Sequence, residues 1–274
     1  MAAELRAAWA IALKDLRIVF RYALWVPSMI FNPLYQGIIP AFLFGTSFAV
    51  GGRQLGLAAS IGTPDLAGFL FMGGAVSGVV GVAFWTMGMS LRSEMDMGTL
   101  EPSWLTPTRR ETLVIGRAVQ GVLITGVVQA ALFAIGIAFF GLRLRWDALR
   151  ALPAMAVMLA ALLGVGFLVA AMVLLAREAN FLVDTTNFLF GMLSGIAFPI
   201  TVLPLALQAV AVLLPTTWAI EILRADAIGA RTILDVRLEH LILVASAAVL
   251  VPLGLWAFRS ADAYVRVHGT IGQH

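Results

Sequence analysis

The 274-residue chain has no cysteine, which excludes disulfides, thiolate metal sites and cysteine nucleophiles. Lys14 is its only lysine. A phosphate-binding loop of the form G-x-x-x-x-G-K-[ST] therefore cannot exist in it, and if ATP is used, another polypeptide binds it. His240, His268 and His274 are too few and too dispersed for a metal site. No G-x-S-x-G or H-E-x-x-H pattern occurs, which argues against an intramembrane protease or acyltransferase. Charge is scarce at 12% of residues, with 18 basic and 15 acidic side chains. Their scattered placement is no nucleic-acid footprint. Hydrophobic residues make up 61%, too many for an ordinary soluble domain.

Those residues are gathered into long runs. Residues 4–21 place Leu5, Ala8, Trp9, Ala12, Leu13, Leu16, Val19 and Phe20 on one arc of a helix, with Arg6, Lys14, Arg17 and Arg21 on another, the pattern of a helix lying in a membrane interface. A secretory signal fits less well, because charge persists to Arg21 and the apolar run that follows is too long. Spans of about twenty residues are expected at 24–49, 66–90, 113–140, 151–176, 181–198 and 241–258. The first is interrupted by Pro27, Pro33 and Pro40, and the second carries Gly74-x-x-x-Gly78, a spacing that permits close helix contact. Residues 91–112 hold too many charges for a bilayer and read as a loop with a short helix. Residues 200–214, bounded by Pro199, Pro204 and Pro215, are apolar but too short to span. They read as a re-entrant hairpin, within 199–228, that must bury its irregular backbone. A polar stretch is expected at 221–240.

The expected fold is an all-α integral membrane protein: a single transmembrane domain over 1–274, with an interfacial helix (1–23), six spans and a re-entrant hairpin before the last. Six spans put both termini on one side. With the termini cytoplasmic, eleven of the arginines and lysines lie inside, among them Arg109, Arg110 and Arg177, and seven outside, which favours that orientation.

The loop after the second span reads Ser93-Glu94-Met95-Asp96-Met97-Gly98-Thr99-Leu100-Glu101, with Thr106-Pro107 beyond. Gly98 allows a sharp turn and Thr99 can cap a following helix. Farther on comes Ser194-Gly195-x-x-Phe198-Pro199-x-x-x-Leu203-Pro204, followed by Pro215 and Arg224. In these two motifs, and in their order among the spans, the chain resembles the type-2 ABC exporter permeases.

That resemblance implies a half-transporter that dimerises and pairs with two copies of a separate ATPase. ATP and magnesium would be held by the ATPase, with no cofactor in this chain. It assigns Glu94, Gly98, Thr99, Leu100, Glu101, Thr106 and Pro107 to a coupling loop docking on the ATPase. Glu94 or Glu101 is expected to meet a basic residue there. The amino-terminal helix with Trp9, Lys14 and Arg17 is a second contact, and Pro199, Pro204 and Pro215 mark an outer hairpin. Met95-Asp96-Met97 and Pro102 depart from the family's usual pattern.

Polar residues within spans are functional candidates by default. Asn32, Gln36, Asp184 and Asn187 qualify, and Phe188 is grouped with them as a candidate substrate path. Asp184 also fits a solvated position near a span end, and Asn32 and Gln36 also fit hydrogen bonding to carbonyls freed by Pro33 and Pro40. Phe69, Phe71, Phe84, Trp85 and Phe190 fit packing or lipid contact before ligand stacking. The expected function is export of a hydrophobic or amphipathic compound across a prokaryotic plasma membrane. Export of a polysaccharide or lipid-linked glycan is the alternative within the family. A gradient-driven secondary transporter, the alternative outside it, would show internal repeats and mid-membrane acids.

Overall fold

The computed structural model describes residues 2–22, 24–49, 55–96, 98, 108–175 and 179–268. Among the described residues the regular structure is helical. Four helices are long and apolar enough to cross a membrane: Leu66–Gly88, Arg110–Phe139, Trp146–Leu175 and Val236–Val267. They coincide with the second, third, fourth and sixth expected spans. The first expected span forms α2 (Trp25–Pro33), a π-helical segment (Leu34–Ile38) and α3 (Ile39–Ser47) in succession. Asn32, Gln36 and its prolines keep it below the apolarity of the other four. The fifth forms a helix of 15 residues, Ala179–Leu193, short for a perpendicular crossing.

Helix α1 (Ala2–Arg21) does not use its whole apolar arc alike. Ala8, Ala12 and Val19 are buried, whereas Leu5, Trp9 and Phe20 are exposed. The small residues let α1 lie against α7 (Arg110–Phe139), and a Cβ at Gly116 would come within 2.8 Å of Ile11. After α4 (Leu55–Ile61), Asp65 starts α5 (Leu66–Gly81) by accepting the amide of Gly68 at 2.8 Å. A second π-helical segment, Val82–Gly88, follows, and α6 (Ser90–Asp96) continues the line.

The core lies around α5 and α8 (Leu152–Leu175), where 61% and 67% of the most apolar windows are buried. In α7 and α12 (Val236–His268) that share is 17%. Their outward faces carry Leu123, Val127, Ile137, Leu241, Val249 and Trp256, the surface that lipid covers in a spanning helix. Helices α8 and α12 touch through glycine: Gly254 faces the backbone of Gly164, and Gly164 faces that of Leu250. No side chain fits there. Gly254→Val is expected to cost about 2–3 kcal/mol by forcing the backbones apart, seen as a lower unfolding midpoint of the detergent-solubilised chain, whereas Gly126→Val, in open space on α7, should change it little.

Beyond α9 (Ala179–Leu193) the chain breaks at 194–199. It then forms α10 (Leu205–Ala211) and α11 (Pro215–Ile228), bent by 87° to each other. The bend is tied by Thr217 Oγ1 donating to the Ala211 carbonyl (2.7 Å) and Trp218 Nε1 to that of Val212 (2.9 Å). Residues 221–228, expected to open a polar stretch, are instead the end of a helix buried from Pro215 through Arg224. Gly229 closes it in the left-handed conformation, φ +72°.

Contacts between segments define two ends of the molecule. At one, the Arg231 amide donates to the Ile61 carbonyl (2.8 Å) and the Arg145 amide to that of Ala227 (3.0 Å). At the other, Arg110 pairs with Asp262, Arg259 with Glu111 at 2.6 Å, and Thr112 donates to Glu4 at 2.5 Å.

Candidate functional site

Between the first expected span, α5 and α7 lies a cavity of about 770 Å³. Both π-helical segments frame it. Gln36, Gly37 and Ile38 come from one, and Val82, Trp85 and Thr86 from the other. A π turn widens the helix locally and is a recurrent feature of functional sites. Pro33 and Pro40, flanking the first segment, each remove an amide donor from the helical ladder.

Among the described residues the wall holds no aspartate, glutamate, lysine, arginine or histidine. Its polarity comes from the carboxamides of Asn32, Gln36, Gln120, Gln129 and Asn187 and the hydroxyls of Ser77, Thr86 and Thr125. Gln129 Nε2 donates to the Gly74 carbonyl at 3.0 Å across the helix pair. The Gly74-x-x-x-Gly78 face makes room for it, since a Cβ at Gly78 would crowd the Gln129 amide and stand 3.0 Å from Thr125. Gln36 donates to the Tyr35 hydroxyl at 3.0 Å. Among the described residues the side chains of Asn32, Gln120 and Asn187 have no hydrogen-bond partner.

Three of the residues singled out from sequence, Asn32, Gln36 and Asn187, thus meet at one cavity. Phe188 does not; it lines an adjoining recess of about 260 Å³ with Asn187. Asp184 is exposed on α9 and lines neither. Gln120 and Gln129 went unread, although each is a polar residue inside an apolar run, the same signal that picked out Asn32. Of the aromatics, Phe69, Phe71 and Phe84 are buried, and Phe84 packs edge-on against Phe190 with 4.9 Å between centroids. Trp85 faces the cavity.

One wall of the cavity is the break at Ile196-Ala197, held in place by Arg224. This arginine of α11 is 2% exposed. It donates to the carbonyls of Gly195 (2.7 Å), Ile196 (3.0 Å) and Phe69 (3.2 Å), and its guanidinium lies 3.5 Å over the Phe69 ring. Irregular backbone in an apolar setting needs such internal donors. Pro199 and Pro215 are buried at the two ends of the hairpin, and Pro204 is exposed at the start of α10.

The remaining cluster joins α1, α6 and α7. Glu94 is 6% exposed. Its carboxylate accepts from Arg117 Nη2 at 2.5 Å and lies 3.7 Å from Lys14 Nζ. Arg117 and Lys14 also approach Asp15, at 3.8 and 3.3 Å. Glu94 is therefore turned toward basic residues of its own chain. Trp9 and Arg17 lie on exposed parts of α1. Gly98 adopts φ +66°, the turn expected of it. Thr99, Leu100, Glu101, Thr106 and Pro107 lie outside the described residues.

The pattern of the family described as ABC-2 type transporter matches residues 8–226. A search among curated proteins finds no match.

Proposed function

Since the chain belongs to the ABC-2 type transporter family, and is the membrane subunit of an ABC-type transporter, we propose that it exports a hydrophobic or amphipathic compound through the uncharged cavity. That cavity is the observation that carries the reading. Its volume falls in the range of pockets for drug-sized molecules, and its wall mixes apolar surface with a few polar groups. A polysaccharide path would offer rows of aromatic stacking surfaces. Among the described residues Trp85 is the one aromatic side chain lining this cavity, which supports the smaller amphipathic substrate.

In this reading two copies of the chain associate and engage two copies of a separate ATPase at 91–112 and α1. Helix α1 lies in the inner membrane interface of a prokaryotic cell. The bent pair α10 and α11 is a re-entrant hairpin on the outer side. Both termini are cytoplasmic. The two ends of the molecule support six passes: α1, α6 and the start of α7 share one end, and residues 61, 145, 227 and 231 the other. ATP-driven closure of the partner dimer moves the docked loop, and this work reaches the substrate only as a difference in binding between two states of the permease.

The test is a mild-detergent isolation of the tagged chain from its native membrane, with subunit stoichiometry and an ATPase assay. A one-to-one soluble nucleotide-binding subunit with vanadate-sensitive activity is expected. A clean eluate without ATPase, under conditions that preserve other complexes, would overturn the coupling assignment.

A further inference from the structure

We infer that the cavity selects for neutral ligands bearing amide or hydroxyl groups on an apolar body, and discriminates against both carboxylate and ammonium forms of the same body. The inference rests on the transport reading for its biological use, but its physical basis is the wall itself.

Three observations converge. The first is charge. An ion entering a site lined by apolar side chains and carboxamides gives up hydration and finds no opposite charge in return, and the wall offers none. The nearby cation, Arg224, stands behind the Ile196 wall with its guanidinium spent on the carbonyls of Gly195, Ile196 and Phe69. The nearby acid, Asp184, lies one helical turn from Asn187 but lines no part of the cavity.

The second is hydrogen bonding. A carboxamide carries both donors and an acceptor, and Asn32, Gln120 and Asn187 have neither engaged by a described residue. They come from three different elements, the first expected span, α7 and α9, so they present polar contacts from separate sides. A ligand that both donates and accepts, as an amide or alcohol does, satisfies them. A carboxylate only accepts and an ammonium only donates.

The third is position. The two π-helical segments supply Gln36, Trp85 and Thr86 to the lining, so two of the polar groups and an aromatic surface belong to widened turns, while Asn32, Gln120 and Asn187 come from regular helix. Trp85, 45% exposed, supplies a flat apolar face beside Thr86.

The test uses the full chain with its co-purifying subunits in nanodiscs and three probes sharing one body: N-dodecanoyl glycinamide, N-dodecanoyl glycine and N-dodecanoyl ethylenediamine. They are neutral, anionic and cationic at pH 7. Saturable binding is read as the tryptophan fluorescence change present in the wild type and absent in Trp85→Phe. The neutral probe is expected to bind at least tenfold more tightly than either ion. Gln120→Leu and Asn187→Leu should each weaken it about tenfold without altering the elution profile of the protein. Gln120→Glu should reverse the preference toward the ammonium probe, a gain that misfolding cannot produce. Equal binding of the three probes, no saturable binding of the neutral one, or leucine variants that bind it unchanged would overturn the inference. ATPase activity stimulated by an ionic probe and not by the neutral one would overturn it while leaving the transport reading intact. Neutral-selective binding by a chain that brings no ATPase would support it and sink the transport reading.

Discussion

Arg224→Met is expected to be among the most damaging single changes in this protein, lowering the unfolding midpoint in detergent by about 10 °C or more. The guanidinium serves three carbonyls, those of Gly195, Ile196 and Phe69, and each buried acceptor left without a donor costs about 1–3 kcal/mol. The sum is about 3–9 kcal/mol, comparable to the whole stability of many domains. Methionine relieves the burial of one charge, which offsets part of that loss. It also leaves buried Glu221, one turn earlier on α11, without its neighbouring cation. Arg224→Lys is expected to recover little, because an ammonium is a point charge and cannot reproduce a planar fork across separated acceptors. A methionine variant melting within about 2 °C of the wild type would show that the break at 194–199 is held by something else.

The second large effect is expected at Glu94. Glu94→Gln, or Arg117→Met, should each destabilise by about 2 kcal/mol, since either change removes the short charged hydrogen bond and leaves the other member a weaker partner, Asp15 at 3.8 Å from Arg117 or Lys14 at 3.7 Å from Glu94. The side chains are 7% and 15% exposed, so salt should screen the pair only weakly. The reversal Glu94→Arg with Arg117→Glu should recover more than half of the loss from Glu94→Arg alone. This double cycle separates two roles for the same carboxylate. If the reversed pair restores stability and ligand-stimulated ATPase together, Glu94 acts by fastening α6 to α7. If stability returns and stimulation does not, the carboxylate is itself read by the ATPase. Equal stability of the singles and the wild type would remove the pair from the account altogether.

The long apolar runs were readable because lipid-compatible helices announce themselves by composition. The run at 66–90 appears as Leu66–Gly88, and that at 151–176 is helical through Leu175, the last described residue before 179. Two helices exceed their apolar runs because charges at their ends are paired. Helix α7 begins at Arg110, bound to Asp262, and α12 runs past Arg259, bound to Glu111. Pairing between residues some 150 positions apart has no local signature. The same holds for Arg224, whose acceptor at Phe69 lies on another helix. A local reading assigns polarity to the surface, and 221–228 was placed there for that reason. The cavity was half legible. Asn32, Gln36 and Asn187 stand out as polar residues in apolar runs, while the packing of separate helices that brings them to one cavity has no local marker, and the π-helical segments have none except the prolines flanking the first. Glu94 shows the converse: a motif can locate a residue correctly in the chain and still not say which way it faces.

Helix α11 also bears on the order in which the molecule is assembled. Its neighbours α8 and α12 are apolar enough to be stable in lipid alone, each hydrogen-bonded within itself. A segment carrying Glu221 and Arg224 has no such independence, because each charge is unfavourable in lipid by a few kcal/mol. Its free energy becomes favourable only once the carbonyls of residues 69, 195 and 196 are waiting for it. The hairpin is therefore a late arrival, seated after the helices around it have inserted.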